Sequence, residues 1–185
     1  MKPYVWIIIA AVAVLLLLYL VTSYNTLVKA RNRVKSQWAQ IDVQLTRRME
    51  LIPNLVECVK GYAAHEQETL ERVMRARSAM VGAKTPQDAM AANAQLSLAL
   101  PSLFALAENY PALKADGMFA RLQTELSQTE DKVAYARQFY NDTALLYKDK
   151  TEQFPRSLVA GMFGFQAEDF FAAEESSRQG VQVKF

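Results

Sequence analysis

The segment Val5–Val21, VWIIIAAVAVLLLLYLV, is apolar without interruption, and the interpretation of the whole chain depends on it. With its flanks it extends over Tyr4–Ser23, which as an α-helix is about 30 Å long, the thickness of the hydrocarbon core of a bilayer. A cleavable signal peptide has a shorter apolar core, about 7–15 residues, followed by small residues at the cleavage site. Leu20-Val21-Thr22 does not fit such a site. The segment therefore predicts a retained transmembrane helix at residues 4–23, after a short N-terminal end at residues 1–3.

Aromatic and basic side chains flank this predicted helix on both sides. Tyrosine and tryptophan rings favour the two membrane–water interfaces, and basic side chains beside a membrane helix are attracted to anionic headgroups. These two patterns predict a set of membrane-interface residues, namely Tyr4, Trp6, Tyr19, Tyr24, Lys29, Arg31, Arg33 and Lys35.

Positive charge is distributed unequally about the apolar segment. Only Lys2 and the α-amino group precede it, whereas a run of basic residues from Lys29 to Arg48 follows it. By the positive-inside rule we expect an external N-terminus and a cytoplasmic body, with a periplasmic body as the alternative. The single cysteine, Cys58, fits either side and excludes an internal disulfide framework.

Beyond the segment, about 160 residues remain, enough for one domain with a hydrophobic core. The net charge of +2 at pH 7 is too small to recruit a polyanion, so we expect no nucleic-acid partner. Glycine and proline are scarce, with six of each, which favours helices.

Apolar residues recur at a spacing of three and four from Leu27 to Ile52, a pattern typical of a helix–helix seam. Because no glycine or proline separates this seam from the apolar segment, we expect one continuous helix, kinked at Pro53 and turning near Gly61.

Three further helices are predicted by periodicity and end signals. The second covers Tyr62–Val81, the third begins after Thr85 and stops before Pro111 with a bend at Pro101, and the fourth extends from Phe119 to Phe154. The predicted fold class is all-α: a transmembrane helix continuous with an up-down four-helix bundle over residues 24–155, then an aromatic C-terminal tail over residues 156–185.

Short motifs of a recognisable kind occur along nearly the whole chain. They are Tyr24-Asn25-Thr26-Leu27-Val28, Arg31-Asn32, Trp38-Ala39-Gln40-Ile41-Asp42, Arg47-Arg48, Leu51-Ile52-Pro53-Asn54-Leu55-Val56-Glu57, Val59-Lys60-Gly61-Tyr62, His65-Glu66, Tyr110-Pro111, Ala136-Arg137, Tyr140-Asn141, Phe154-Pro155 and Phe163-Gly164-Phe165. Together they resemble the LemA family of bacterial membrane proteins.

The resemblance implies one N-terminal membrane helix and a four-helix bundle, and it places the chain in the bacterial inner membrane as an expectation. It transfers no catalytic residues, because the biochemical role of the family is largely undefined. Family genes often neighbour those of membrane metalloproteases. By association alone, this implies a link to envelope maintenance and a membrane metalloprotease as a candidate partner.

Catalytic, cofactor and metal residues are not predicted. His65-Glu66 is the one place where a histidine adjoins a carboxylate, but the second histidine that a zinc-protease motif needs four residues later is Thr69. Cys58 has no nearby partner except His65, two helical turns away, so we expect a packed, inert thiol.

Two arginines, Arg31 and Arg48, occupy core-like positions of the first seam. Either each buries its stem and extends its guanidinium to solvent, or it pairs with a carboxylate of a neighbouring helix or protomer. Glu125 and Glu130 are the candidate carboxylates. On the second alternative we expect at least one arginine to set the register of assembly.

The tail carries four phenylalanines, Phe163, Phe165, Phe170 and Phe171. Either their rings cover the bundle of their own chain, or they dock onto another protomer or partner. Val181–Phe185 alternates with a period of two and could add as a strand to an exposed edge.

From these patterns we expect a non-enzymatic, membrane-anchored scaffold or adaptor that binds the lipid bilayer and forms a homo-oligomer. The alternative is a regulatory or client-presenting subunit of a membrane protease system.

Overall fold

The structure is a computed structural model and describes residues 3–171. Within this range the chain is all-helical and contains no strand. Its six helices are α1 (Pro3–Tyr62), α2 (Gln67–Gly82), α3 (Pro86–Asn109), α4 (Pro111–Lys114), α5 (Gly117–Glu152) and α6 (Arg156–Met162). The strand expected at Val181–Phe185 lies outside the described residues, as does the tail beyond Phe171.

Helix α1 is continuous over 60 residues, so the apolar segment and the predicted seam belong to one helix, as expected. Pro53 lies inside it and has no N–H to donate to the carbonyl of Met49, four residues earlier. Arg77 of α2 donates its Nε–H to that carbonyl instead, at 3.1 Å. A side chain from a neighbouring helix thereby satisfies the acceptor that the proline leaves open, and α1 continues to Tyr62.

The start of α3 agrees with its sequence signals. Thr85 accepts a hydrogen bond from the Asp88 amide at 3.1 Å, and the Asp88 carboxylate accepts one from the Thr85 amide at 3.2 Å, which together form a capping box. The hydrogen bond with Thr85 holds the pKa of Asp88 below its ordinary value. Pro101 lies inside the helix, which ends at Asn109.

Several boundaries differ from those predicted. Helix α2 begins at Gln67 rather than Tyr62, because the chain turns between the two helices. Helix α5 ends at Glu152, and Phe154, expected on its buried face, is 80% exposed. The short helices α4 and α6 were not predicted, since one or two turns are too short to show a periodicity.

The contacts divide the described residues into two compact units. The first comprises residues 3–37 and 139–170, and the second comprises residues 38–138 with Phe171. In the first unit the buried side chains come from α1, α5, α6 and the segment after α6; they include Leu27, Val34, Ala144, Tyr147, Val159 and Phe165. In the second unit α1, α2, α3 and α5 all contribute; the buried side chains include Ile41, Leu45, Ile52, Val73, Leu96, Leu103, Leu126 and Val133.

Two of the described helices, α1 and α3, are long and apolar enough to cross a bilayer. Their most apolar 18-residue windows differ in burial. None of the window in α1 is buried, whereas 39% of the window in α3 is buried.

Candidate functional site

Arg48 is the centre of a buried polar cluster in the second unit. The side chain is only 2% exposed, and its guanidinium donates hydrogen bonds to three polar side chains from two other helices. Nη1 donates to Asn93 Oδ1 of α3, while Nη2 donates to Ser97 Oγ at 3.1 Å and to Glu130 Oε2 of α5 at 2.7 Å. A single arginine therefore links α1, α3 and α5.

Of the two alternatives for Arg48, the structure shows the second, in which the guanidinium pairs with a carboxylate of a neighbouring helix. That carboxylate belongs to Glu130, one of the two candidates. Glu130 is 40% exposed, so one end of the ion pair reaches solvent while the other is enclosed. Such half-enclosed pairs lose part of their strength to screening by water. Whether Arg48 sets an assembly register is not tested by these contacts and stays a prediction.

A cavity of about 360 Å³ adjoins this cluster. Its wall combines the polar cluster with apolar side chains of α3 and α5; it is formed by Arg48, Ser97, Leu100, Pro101, Phe104, Gln123, Leu126, Ser127 and Glu130. Arg48 lines this space, and its Nη2 hydrogen bonds are already made to Ser97 and Glu130. The arrangement therefore suits a structural link better than proton or group transfer, which needs a reactive group held ready.

Arg31 has a different environment, in the first unit. Its guanidinium carbon lies 5.1 Å from the centre of the Phe165 ring, which is the geometry of a cation–π contact. Among residues 3–171, Arg31 forms this contact and no ion pair with a carboxylate. Arg31 is half-buried. The side chain that was predicted to lie at the membrane interface is thus the one that contacts the tail.

Tyr24, one of the predicted interface residues, belongs to an aromatic cluster. The Tyr24 ring lies 4.9 Å from the Phe163 ring and 5.6 Å from the Phe165 ring, centroid to centroid, in edge-to-face geometry. Tyr4, Trp6, Tyr19, Lys29, Arg33 and Lys35 are exposed in the structure. Their assignment to a lipid interface remains a prediction.

All four tail phenylalanines lie against their own chain. Phe171 packs 6.4 Å from the Trp38 ring, centroid to centroid, and under the Arg137 guanidinium, while Phe170 lies 5.9 Å from Lys148 Nζ. Phe165 and Phe171 are buried, whereas Phe163 and Phe170 keep nearly half of their surface exposed. The described part of the tail thus covers its own chain with two rings and leaves two partly open.

Cys58 is half-buried, with Sγ 3.9 Å from Asp116 Oδ1. Burial, and then the negative charge of Asp116, raise the pKa of the Cys58 thiol above its ordinary value. The thiol is therefore held in its protonated, weakly nucleophilic form near neutral pH.

His65 is exposed, and its neighbour Glu66 accepts a hydrogen bond from the Tyr110 hydroxyl at 3.2 Å. Among residues 3–171, no three His, Cys, Asp or Glu side chains are grouped so as to hold a metal ion.

Sequence reasoning missed two residues that organise the second unit. Asn93 is buried between apolar positions of α3, and the signal was an amide at core spacing, three residues before Leu96. Asp116 accepts hydrogen bonds from the amides of Met118 and Phe119, at 2.7 and 3.0 Å, and from the Tyr62 hydroxyl at 2.8 Å. These amides, with Tyr62, lower the pKa of Asp116. Its signal was an aspartate directly before the first residue of a helix.

Comparison with known proteins finds relatives over most of the chain. The LemA family profile matches residues 37–185. The chain is 26% identical to the protein LemA of Metamycoplasma hominis over 163 residues, which cover 86% of this chain and 73% of that protein. It is 24% identical to the magnetosome protein MamQ 2 of Paramagnetospirillum magneticum, over 82% of this chain and 65% of that protein. It is 25% identical to the magnetosome protein MamQ of Magnetospirillum gryphiswaldense, over 87% of this chain and 70% of that protein.

Proposed function

Because this chain belongs to the LemA family, we propose that it is a non-enzymatic scaffold or adaptor, anchored in the bacterial inner membrane by the first part of α1. The observation that carries the proposal is that no residue in the apolar window of α1 is buried, although the helix continues into packed structure. Large contiguous apolar surfaces do not stay in water, and a single helix of this length matches the hydrocarbon core.

The packed part fits a presenting platform better than an enzyme. Two of its polar residues make structural hydrogen bonds: the buried Arg48 links three helices, and the half-buried Asp116 caps α5. The names of the relatives, LemA and magnetosome protein MamQ, state no catalysed reaction. In this proposal α1, α2, α3 and α5 form a four-helix bundle whose surface recruits other copies or partner proteins.

The sidedness follows from the basic residues after the apolar segment, which favour a cytoplasmic body. Cys58 is a poor reporter because it is half-buried, so the test uses Met118→Cys, at an exposed position, in a Cys58→Ser background. We expect an impermeant thiol reagent to label this cysteine only after spheroplasts are permeabilised. Labelling of intact spheroplasts would place the body on the outside.

The scaffold role is tested by size and by co-purification. The full chain is extracted from native membranes into nanodiscs, its mass is measured, and bound proteins are identified by mass spectrometry. We expect a homo-oligomer or a stable complex with a partner. A strict monomer with no bound protein contradicts the proposal, whereas reciprocal capture with a membrane metalloprotease favours the regulatory alternative.

A further inference from the structure

The apolar surface of the first unit is not confined to the predicted anchor. Four large apolar side chains within and beside α6 are exposed, and the surface they form is here termed the α6 patch: Phe154, Leu158, Met162 and Phe163. Leu158 and Met162 are one helical turn apart and so share a face, while Val159 and Ala160 on the other side are buried. Helix α6 therefore packs by small residues and leaves its larger apolar residues uncovered.

The position of this patch along α1 is fixed by aromatic contacts. The apolar segment ends at Val21, and Ser23 is the first buried side chain of α1 among the described residues. Tyr24 is three residues beyond Val21, a rise of about 5 Å along the helix axis. Since the Phe163 ring contacts the Tyr24 ring, the end of α6 lies at the level where the apolar segment gives way to packed protein.

The turn after α6 separates the exposed Phe163 from the buried Phe165. Gly164 has φ of +68°, and the Phe165 amide donates to the carbonyl of Ala160 at 3.0 Å, the reversal typical of a helix C-terminus. The reversal brings Phe165 inward beneath Arg31, while Phe163, before the turn, stays partly exposed.

The charge of the segment around α6 is suited to a lipid surface. Residues 153–167 contain no carboxylate and one basic residue, Arg156. A short apolar segment with a cationic residue and no acidic residue has the composition of elements that lie in the headgroup region.

From these observations we propose that the α6 patch is a second membrane contact, which inserts into the headgroup region of the bilayer beside the anchor. The inference rests on the proposed anchoring by α1, because the bilayer level is taken from the end of its apolar segment. With two contacts the first unit is held at the lipid surface at a fixed tilt, instead of swinging on a single helix.

The test measures how deep α6 lies in the bilayer, using the full chain in nanodiscs of phosphatidylcholine and phosphatidylglycerol. Single cysteines are introduced into a Cys58→Ser background at Leu158, Met162, Leu16 and Leu98, and each is labelled with an environment-sensitive fluorophore. Quenching by lipids that carry a nitroxide near the headgroup, or along the acyl chain for the label at Leu16, is compared with quenching by aqueous iodide. Leu98 is the matched control, since it is an exposed leucine of the second unit.

We expect the labels at Leu158 and Met162 to be quenched by the nitroxide lipid and protected from iodide, with the reverse at Leu98. If the label at Leu16 is quenched by lipid but those at Leu158 and Met162 behave like Leu98, the second contact is disproved and the anchor stands. If the label at Leu16 is not quenched by lipid, the anchor itself fails. Protection at Leu158 and Met162 from both quenchers would assign the patch to a second copy or another protein, and would also overturn the inference.

Discussion

The apolar segment of α1 and helix α3 would both pass as membrane helices by length and composition, yet only α3 has part of its apolar window buried in protein. Helix α3 buries Leu96 and Leu103 completely and also buries Asn93, whose amide oxygen accepts a hydrogen bond from Arg48. Residues 5–21 of α1 contain no charged or amide side chain for any partner to bind. The comparison shows that polar residues distinguish the two apolar helices. The helix that packs in a protein core contains a buried amide with a hydrogen-bond partner, whereas the predicted membrane segment contains no amide or charged side chain.

The largest effect is expected on membrane retention, when charge is introduced into each of the two apolar helices. Val12→Arg with Leu16→Arg puts two cations at the middle of the apolar segment, at about 2.5–3.5 kcal/mol each for membrane insertion. We expect the chain to leave the alkali-resistant membrane fraction while circular dichroism shows the remaining helices intact. Leu98→Arg, on the exposed side of α3, is the control and should stay in the membrane fraction. Full retention of the double variant contradicts a transmembrane α1.

The second effect concerns the difference between the buried and the exposed face of α3. Leu103 is fully buried, and Leu103→Ala should lower the free energy of unfolding by about 2–5 kcal/mol, through lost burial and the cavity left behind. Leu98 is 73% exposed, so Leu98→Ala should change that free energy by no more than about 0.5 kcal/mol. Urea unfolding in detergent measures both. Equal effects at the two positions would mean that α3 has no preferred buried face.

The third effect tests the polar cluster that distinguishes α3 from the anchor. Arg48→Met leaves the buried Asn93 amide without its guanidinium partner, which should cost about 1–3 kcal/mol of unfolding free energy. Adding Asn93→Leu removes the stranded amide, so we expect part of that loss to be regained in a double-mutant cycle. The control, Arg47→Met, alters an exposed neighbour.

The same Arg48→Met protein tests the predicted role in assembly. If its oligomer size and stability equal those of the unaltered chain, Arg48 does not set the register. A changed size with helicity retained would support that role.

The smallest effect appears at high pH, in the covered part of the first unit. Tyr140 donates its hydroxyl proton to the Asp169 carbonyl at 2.9 Å, and burial, with the nearby Glu168 and Asp169 charges, raises its pKa from 10 to about 12. Because the folded state holds this proton to a higher pH, the unfolded chain ionises first, and stability should fall between pH 10 and about 12. In Tyr140→Phe that fall should be smaller. Tyr135→Phe, at an exposed position, should leave it unchanged.

Much of the helical order could be predicted because its signals are local. The capping box of α3 uses Thr85 and Asp88, three residues apart. The continuity of α1 was predicted because no glycine or proline lies between the apolar segment and the seam. The partner of Arg48 was narrowed to two carboxylates because a charge that interrupts an apolar seam needs compensation. Helix α6 and the start of α2 could not be predicted, since short elements depend on the surfaces they contact more than on their own propensity.

For the candidate site, the sequence predicted the arginine but not all of the residues that surround it. Arg48 was identified because it interrupts the seam. Asn93 was not identified, because a single amide in an apolar helix is equally compatible with an exposed position. For the tail, the four phenylalanines were identified from the sequence, while their partners required Gly164 and the reversal that follows α6.

The sequence by itself determined that residues 4–23 are long and apolar enough to cross a bilayer, that the chain after them is helical, and that it is similar to the LemA family. These properties follow from composition, periodicity and local hydrogen bonding, which act over a few residues. Only the tertiary structure decided that α3 buries one of its faces while the apolar part of α1 buries none, that Arg48 joins three helices, and that α6 exposes its larger side chains. Those outcomes depend on neighbours distant in sequence, because burial is a property of the surfaces that meet and not of any one segment.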